Sequence, residues 1–339
     1  MATITQYLEI LLKGNDLTFE QAQTLQDTIF AGEVPEAQVA AFLTAMRAKG
    51  ATASEIAGLA KSMRDRVVKV EPGLDNIVDI VGTGGAAVKT FNVSTASALV
   101  AAGAGVHVAK HGNRAITSKC GSADVLTALG VRIDPTPEVI AECVRQARVG
   151  FMFAPMFHPA MKYVQPIRKA LGFRTVFNIL GPLANPALVP SLVLGVADEC
   201  LLETMAQALR TLGTRYAMVV HSNGLDEIST AGITKIVELK DGQMEPKELK
   251  PTDLGIAPKP LDGLVVQDAE ASAAIVRSII EGQERGAARD IVVLNASAGI
   301  IAGGLAKDFP EAIPLAQASI DDGKAAECLA KLIEISNKG

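Results

Sequence analysis

The sequence contains little cysteine, and its four cysteines are far apart. Cys120, Cys143, Cys200 and Cys328 form no C-x-x-C pair, so their spacing excludes a zinc knuckle and a disulfide framework. Reduced thiols are therefore expected, and they are typical of a cytoplasmic protein. The chain also has no tryptophan and only 4% aromatic residues, but this scarcity excludes no functional class.

The sequence also lacks an excess of cations and a long hydrophobic run. Its 32 Lys and Arg residues are outnumbered by 37 Asp and Glu residues, for a net charge of −5. Surfaces that bind nucleic acid or anionic membranes need clustered Lys and Arg, so neither partner is predicted and any anion site must be local. The run of small residues from Ala96 to Ala109 is interrupted by glycines, Ser97 and His107, so no membrane span or signal peptide is predicted.

Helical periodicity dominates the first part of the 339-residue chain. Over residues 1–70 apolar side chains recur at the spacing of one helical face. The pairs Thr18 with Gln21 and Thr52 with Glu55 form capping boxes, which mark the amino ends of helices. We therefore predict a small helical domain over this range, whose exposed apolar faces suit a homodimer.

Beyond a Pro- and Gly-containing linker at Lys69 to Asp75, strand-like and helical stretches alternate. The strand candidates are Ile77 to Val81, Val106 to Ala109, Val131 to Ile133, Gly150 to Ala154, Leu192 to Val196, Tyr216 to Val220, Lys235 to Leu239 and Ile291 to Leu294. The alternation predicts an α/β domain over residues 75–339, with a mainly parallel central sheet covered by helices. The segment 159–183 contains Pro166 and Pro182, and we expect it to leave the sheet and join the N-terminal helices.

A glycine-rich loop follows the first predicted strand. This strand runs into Gly82-Thr83-Gly84-Gly85, and Asn92-Val93-Ser94-Thr95 precedes an Ala-rich helical stretch in which the Ser-Thr pair is expected to supply the N-cap. Outward-pointing loop amides and a helix amino terminus both suit anionic oxygens. The spacing matches neither the dinucleotide fingerprint nor the P-loop. Taken alone, the loop is equally consistent with a tight βα turn that needs glycine.

Two further polar clusters follow predicted strands. Lys110-His111-Gly112-Asn113-Arg114 leads to Thr117-Ser118-Lys119, and cations and hydroxyls on a strand-end loop suit a polyanion such as pyrophosphate. The adjacent carboxylates in Asn223-Gly224-Leu225-Asp226-Glu227 suit Mg²⁺ together with substrate phosphates. Each cluster alone is more typical of a solvated turn, but three strand ends with amides, cations and carboxylates together indicate a diphosphate held by magnesium.

In this order, the motifs resemble those of the anthranilate phosphoribosyltransferases of tryptophan biosynthesis, over nearly the whole chain. The resemblance rests on the glycine loop, the two polar clusters, His158-Pro159-Ala160-Met161-Lys162 and Asn178-Ile179-Leu180-Gly181-Pro182-Leu183. It implies the fold type of nucleoside phosphorylases and phosphoribosyltransferases. It also implies transfer of the phosphoribosyl group of phosphoribosyl pyrophosphate to the amino group of anthranilate, which gives N-(5-phosphoribosyl)anthranilate and pyrophosphate.

The resemblance further implies roles for individual residues. The contacts to phosphoribosyl pyrophosphate fall on Gly82, Gly85, Thr90, Asn92, Val93, Ser94, Thr95, Lys110, His111, Gly112, Asn113, Arg114, Ala115, Ile116, Thr117, Ser118 and Ser122. The implied ligands of two Mg²⁺ ions per subunit are Ser94, Asp226 and Glu227, and Glu227 would bind both ions. The implied contacts to anthranilate are Gly82, Asn113 and Arg168, and His158 would line the path of this substrate. No side chain is assigned as acid or base, and Lys110 has an electrostatic role.

One position departs from the family pattern. Where the family usually continues the glycine loop with Asp-Gly, this chain has Ala86-Ala87. A carboxylate expected near the ribose and diphosphate of the donor is therefore missing, and the affinity for the magnesium-bound donor should change unless a neighbour such as Lys89 compensates.

Two rival interpretations explain fewer of these residues. Pyrimidine nucleoside phosphorylases share the implied architecture, but their characteristic phosphate-site motifs are not found here, and Arg168 would have no role in them. A non-catalytic relative that binds nucleic acid needs a basic surface, which the acidic composition does not provide. It would also leave the two adjacent carboxylates unexplained.

Overall fold

The chain begins with four helices in the computed structural model, which describes residues 3–115 and 120–338. The helices are α1 (Ile4–Leu12), α2 (Phe19–Phe30), α3 (Glu36–Lys49) and α4 (Ala53–Asp65). Both predicted capping boxes are present, at the amino ends of α2 and α4, and Thr3 with Gln6 forms a third one at α1. Side-chain oxygens thus satisfy the amides that begin each of these helices.

A seven-stranded sheet follows, in the order β3-β2-β1-β4-β5-β6-β7. Its strands are β1 (Ile77–Gly82), β2 (His107–Gly112), β3 (Val149–Phe153), β4 (Ser191–Gly195), β5 (Tyr216–His221), β6 (Thr234–Lys240) and β7 (Gln243–Leu249). The five strands β3, β2, β1, β4 and β5 pair with their neighbours in parallel. Strands β6 and β7 are added in antiparallel orientation at one edge. The carboxyl ends of β1, β2 and β5 therefore lie on one side of the sheet, as ligand binding in such sheets requires.

Helices cover both faces of the sheet. The remaining α-helices are α5 (Val93–Gly103), α6 (Ser122–Ala128), α7 (Pro137–Gln146), α8 (Ala154–Phe157), α9 (Gln165–Leu171), α10 (Phe177–Leu180), α11 (Leu201–Thr211), α12 (Ala269–Ile280), α13 (Ala287–Ala302), α14 (Phe309–Asp321) and α15 (Lys324–Lys338). Short 3₁₀ helices occupy Pro159–Tyr163, Gly181–Ala184, Pro251–Leu254 and Asp262–Leu264. One core joins α5 and α13 to Val78 and Ile80, and a second joins α11 to Leu192 and Leu194. The predicted fold class is confirmed.

Two predicted strands were wrong, and one strand was not predicted. Ile291 to Leu294 lies inside α13, which is buried along nearly its whole length, and a short apolar run cannot distinguish a buried strand from a buried helix. Val131 to Ile133 forms a connection without a strand. Strand β7 was missed because its sequence is polar and contains Pro246, which is tolerated at a sheet edge.

The segment between β3 and β4 packs against the N-terminal helices. Val164, Ile167 and Phe177 are buried in the same apolar core as Phe42 and Leu43 of α3. This segment therefore bridges the helical part of the chain and the ends of β1 and β2. No helix in the described part of the chain is both long and apolar enough to cross a membrane.

Candidate active site

The glycine loop packs against the carboxylate-bearing loop after β5. The amide of Gly84 donates to Asp226 Oδ2 at 3.1 Å, and a Cβ atom at Gly82 would lie 2.6 Å from the same oxygen. Gly84 and Gly85 have φ angles of 67° and 80°, in the left-handed region that favours glycine. Backbone conformation thus favours glycine at positions 84 and 85, and the close approach of Asp226 favours glycine at position 82.

Helix α5 directs its amino terminus into the same cleft. Asn92 is its N-cap and accepts a hydrogen bond from the amide of Thr95 at 3.1 Å, which corrects the prediction of a Ser-Thr cap. The side chain of Val93 is buried in the core, so only its backbone can face a ligand. The buried Thr95 hydroxyl has no hydrogen-bond partner among the described residues.

Lys110 lies in strand β2, not on the predicted loop after it, and so does His111. The Lys110 side chain is buried and its Nζ atom donates to the carbonyl of Ile80 at 2.5 Å and to Ser94 Oγ at 3.1 Å. Burial lowers the pKa of Lys110, and Asp79 and Glu227 oppose that shift. The strand continues further than predicted because its polar residues are held by the neighbouring strand.

Asp226 and Glu227 are half-buried, and the Glu227 carboxylate lies close enough to Lys110 for their charges to interact. Burial raises the pKa of Asp226. Burial and the neighbouring Asp226 carboxylate together raise the pKa of Glu227 to about 8. Two carboxylates held against each other at low exposure suit a divalent cation, which removes their repulsion. The described residues contain no group of three or more His, Cys, Asp or Glu side chains that could hold a metal, so substrate oxygens would have to complete the coordination.

These elements enclose a cavity of about 290 Å³, which we call the donor cavity because the residues predicted to contact the donor line it. Its lining includes fifteen predicted site residues, namely Gly82, Gly85, Thr90, Asn92, Val93, Ser94, Lys110, His111, Gly112, Asn113, Arg114, Ala115, Ser122, Asp226 and Glu227. Thr95 lies behind the lining, in the first turn of α5. The predicted contacts Ile116, Thr117 and Ser118 lie outside the described residues.

Asp124 organises the loop between β2 and α6. Its carboxylate accepts from the amides of Ala115 and Gly121, both at 3.0 Å, and pairs with the Arg114 guanidinium at 2.8 Å. These hydrogen bonds and the pairing with Arg114 lower the pKa of Asp124, although burial opposes the shift. The Arg114 side chain is about half exposed, at 54%, so the structure presents it at the rim of the donor cavity.

A second cavity of about 560 Å³, the acceptor cavity, shares Gly82, Asn113 and Asn178 with the donor cavity. Arg168 on α9 lines it, with Nη2 3.5 Å from Asn178 Oδ1 and the guanidinium 5.6 Å from the ring of Phe177. Burial lowers the pKa of Arg168. The acceptor cavity therefore combines an apolar wall with a partly buried planar cation.

His158 and His111 meet between the two cavities. Their Nε2 atoms are 3.3 Å apart, and Nδ1 of His111 lies 3.1 Å from the carbonyl oxygen of Gly181. Only a protonated ring nitrogen can donate to that carbonyl, so His111 faces His158 through an accepting Nε2 atom. Burial is the main cause that lowers the pKa of His111 to about 3 and that of His158 to about 4, so both rings are neutral at physiological pH.

Sequence reasoning missed Arg174, which lines the donor cavity. Its Nη2 atom donates to the carbonyl of Gly84 at 2.9 Å. An isolated arginine between α9 and α10 carries no motif, and only the tertiary structure brings it to the glycine loop 90 residues earlier in the chain.

The chain matches both parts of a known family. Residues 5–67 match the helical bundle domain of a glycosyl transferase family, and residues 74–326 match its a/b domain. An anthranilate phosphoribosyltransferase of Roseiflexus castenholzii is 47% identical over 330 residues, which cover 96% of each chain. One of Thermomicrobium roseum is 48% identical over 98% of this chain and 97% of the relative.

Solved structures are similar over the same length. The crystal structure of anthranilate phosphoribosyltransferase from Thermus thermophilus superposes with a TM-score of 0.92, at 39% identity, and covers 97% of this chain and 99% of that one. The enzyme of Saccharomyces cerevisiae in complex with phosphoribosyl pyrophosphate and magnesium gives a TM-score of 0.90 at 28% identity, over 99% and 98% of the two chains.

Proposed function

Since this chain belongs to the anthranilate phosphoribosyltransferase family, we propose that its two adjoining cavities bind the two substrates of that reaction. The chain transfers the phosphoribosyl group of phosphoribosyl pyrophosphate to the amino group of anthranilate, in tryptophan biosynthesis. The observation that carries the assignment of sites is the shared wall at Gly82 and Asn113. Because the two cavities adjoin at these residues, a sugar carbon bound in one cavity can approach an amine bound in the other.

The donor cavity offers the groups that a diphosphate sugar needs. The glycine loop and the first turn of α5 line this cavity, and Lys110 supplies a fixed positive charge at its base. We assign the donor to the predicted contacts that line this cavity. For Ile116, Thr117 and Ser118 the assignment continues to rest on the resemblance alone.

Asp226, Glu227 and the hydroxyl of Ser94 would hold magnesium, with two ions per subunit as a further proposal. The fit is supported by the two half-buried carboxylates, whose mutual repulsion and raised pKa values a divalent cation would relieve. When bound, magnesium neutralises charge on the diphosphate. A yeast relative was solved with phosphoribosyl pyrophosphate and magnesium.

The protein's own residues act mainly by position and charge. The aryl amine of anthranilate is neutral at physiological pH, so it can attack without prior deprotonation. Its nitrogen lone pair forms the C–N bond to the ribose carbon while the C–O bond breaks and pyrophosphate leaves with that electron pair. The nitrogen then loses a proton to water or to the released pyrophosphate. Lys110 and the loop amides stabilise the charge on the departing diphosphate, and we assign no acid, base or covalent intermediate.

The acceptor cavity suits anthranilate. The guanidinium of Arg168 presents two parallel N–H donors of the kind that pair with a carboxylate, and Phe177 lies beside it. His158 lines the same cavity, with its ring held against His111. We propose that Arg168 binds the carboxylate while Asn113, on the shared wall, faces the amine.

The assembly and location of the protein are further proposals. We propose a cytoplasmic homodimer, with the helical domain over residues 1–70 and part of 159–183, and a hinge at Lys69 to Asp75 that lets the cavities close on the substrates. Leu12 on α1 is 68% exposed and would be covered in a dimer. Light scattering at micromolar concentration tests this proposal, and a monomer would contradict it.

The decisive experiment mixes purified protein, magnesium, phosphoribosyl pyrophosphate and anthranilate, and follows the loss of anthranilate fluorescence. We expect one pyrophosphate to be released for each anthranilate consumed. No turnover would overturn the proposed function. A parallel reaction with a pyrimidine nucleoside and inorganic phosphate tests the rival phosphorolysis, for which we expect no product.

A further inference from the structure

Arg174 reaches across the glycine loop from the segment between α9 and α10. Besides the hydrogen bond from Nη2 to Gly84, its Nη1 atom lies 1.4 Å from the position that a Cβ atom at Gly85 would take. Any side chain at Gly85 would therefore displace the guanidinium. The group packs directly on the loop backbone, on the side of the donor cavity.

The local backbone fixes where Arg174 points. Helix α9 ends at Leu171 and is capped by Gly172, which has a φ angle of 68°. The next turn is closed by Thr175, whose amide donates to Asn178 Oδ1 at 2.9 Å. Asn178 lines both cavities and its oxygen also lies 3.5 Å from Nη2 of Arg168. The two arginines are thus held by one turn, with Arg168 in the acceptor cavity and Arg174 in the donor cavity.

Arg174 forms no ion pair with any described residue. Its hydrogen bond to Gly84 goes to a neutral carbonyl, which occupies one of the five N–H donors of a guanidinium. Its charge acts to lower the pKa of Asp226, whose Oδ2 already accepts from the amide of Gly84. At position 86, where a family carboxylate is expected, the chain has alanine, so no acid there competes for the guanidinium.

We propose that Arg174 is a donor-binding residue whose guanidinium binds the anionic oxygens of the diphosphate part of the donor. Hydrogen bonds from a guanidinium to an anionic oxygen are about twice as strong as those to a neutral one, so the donor outcompetes the Gly84 carbonyl. The inference rests on the proposed function.

Isothermal calorimetry with inorganic pyrophosphate, with and without magnesium, tests this role in the full-length chain. We expect Arg174→Gln to weaken pyrophosphate binding by about 10- to 100-fold, the usual effect of losing a hydrogen bond to a charged group. The loss should be larger without magnesium, when the side chain faces the full charge of the anion. Lys169→Gln, on the exposed face of α9, is the matched control and should bind pyrophosphate like the wild type.

Anthranilate binding, followed by fluorescence, separates a binding role from a structural one. Arg174→Gln should retain anthranilate affinity, since Arg168 is unchanged. Equal pyrophosphate affinity in Arg174→Gln and wild type, or an equal loss for pyrophosphate and anthranilate, would overturn the proposal. Turnover by the wild type tests the proposed function separately, so an unaffected variant of an active enzyme would reject only the role of Arg174.

Discussion

The Nζ atom of Lys110 lies 3.1 Å from the hydroxyl oxygen of Ser94, so the end of β2 is tied to the first turn of α5. The same ammonium donates to the carbonyl of Ile80 in β1. A buried cation held at two points cannot reorient when a ligand arrives. Fixed charges of this kind stabilise developing negative charge better than mobile charges in water do.

Lys110→Met should therefore lower kcat by about 100- to 1,000-fold, as the loss of one fixed electrostatic donor typically does. Methionine fills the buried space without carrying the charge. Steady-state kinetics give the effect, circular dichroism checks the fold, and Lys169→Met is the exposed control. A folded Lys110→Met variant with nearly normal turnover would remove Lys110 from the mechanism.

The Ala86→Asp substitution introduces the carboxylate that the resemblance to the family leads us to expect at this position. Ala86 lines the donor cavity, in the loop that Asp226 holds through Gly84. We expect the added charge to change the Michaelis constant for phosphoribosyl pyrophosphate or its magnesium dependence, because it adds an oxygen ligand next to two carboxylates. The neutral, equally shaped Ala86→Asn variant is the control. If a magnesium titration gives the same kinetics for Ala86→Asp and wild type, the departure at this position has no consequence for donor binding.

Local signals predicted much of the fold and part of the site, whereas distant contacts could not be predicted. The capping boxes at Thr18 and Thr52 and the glycine loop depend on neighbouring residues, so their sequence patterns were sufficient. Lys110 was placed on a loop because a run of polar residues usually ends a strand, and its burial depends on Ser94 and Ile80 across the sheet. Arg174 is brought to Gly84 by tertiary packing alone, which no local pattern encodes.

The proposed binding of the anthranilate carboxylate by Arg168 can be tested by substitution. We expect Arg168→Lys to raise the Michaelis constant for anthranilate by about 10-fold or more, because lysine retains the charge but loses the paired donors. The Michaelis constant for phosphoribosyl pyrophosphate should change little. Steady-state kinetics with each substrate varied in turn measure both, with Lys169→Gln as the control. An effect on the donor constant alone would place anthranilate elsewhere.

The His111 and His158 pair gives a prediction about pH and stability. Burial holds the pKa values of these side chains at about 3 and about 4 in the folded protein, whereas an unfolded histidine titrates near pH 6.5. Between about pH 6.5 and pH 4 the unfolded state therefore binds more protons than the folded state, so the free energy of unfolding falls as the pH is lowered. Each histidine contributes a slope of up to about 1.4 kcal/mol per pH unit.

Urea unfolding at a series of pH values between 7 and 4.5 measures this slope. His158→Gln keeps a polar group near the Nε2 position but removes one titrating group. Its absolute stability should fall because a buried contact is altered, yet its pH dependence should be shallower than that of the wild type. Lys169→Gln removes no group that titrates in this window and should run parallel to the wild type. Parallel curves for His158→Gln and wild type would mean that His158 is not held neutral by burial.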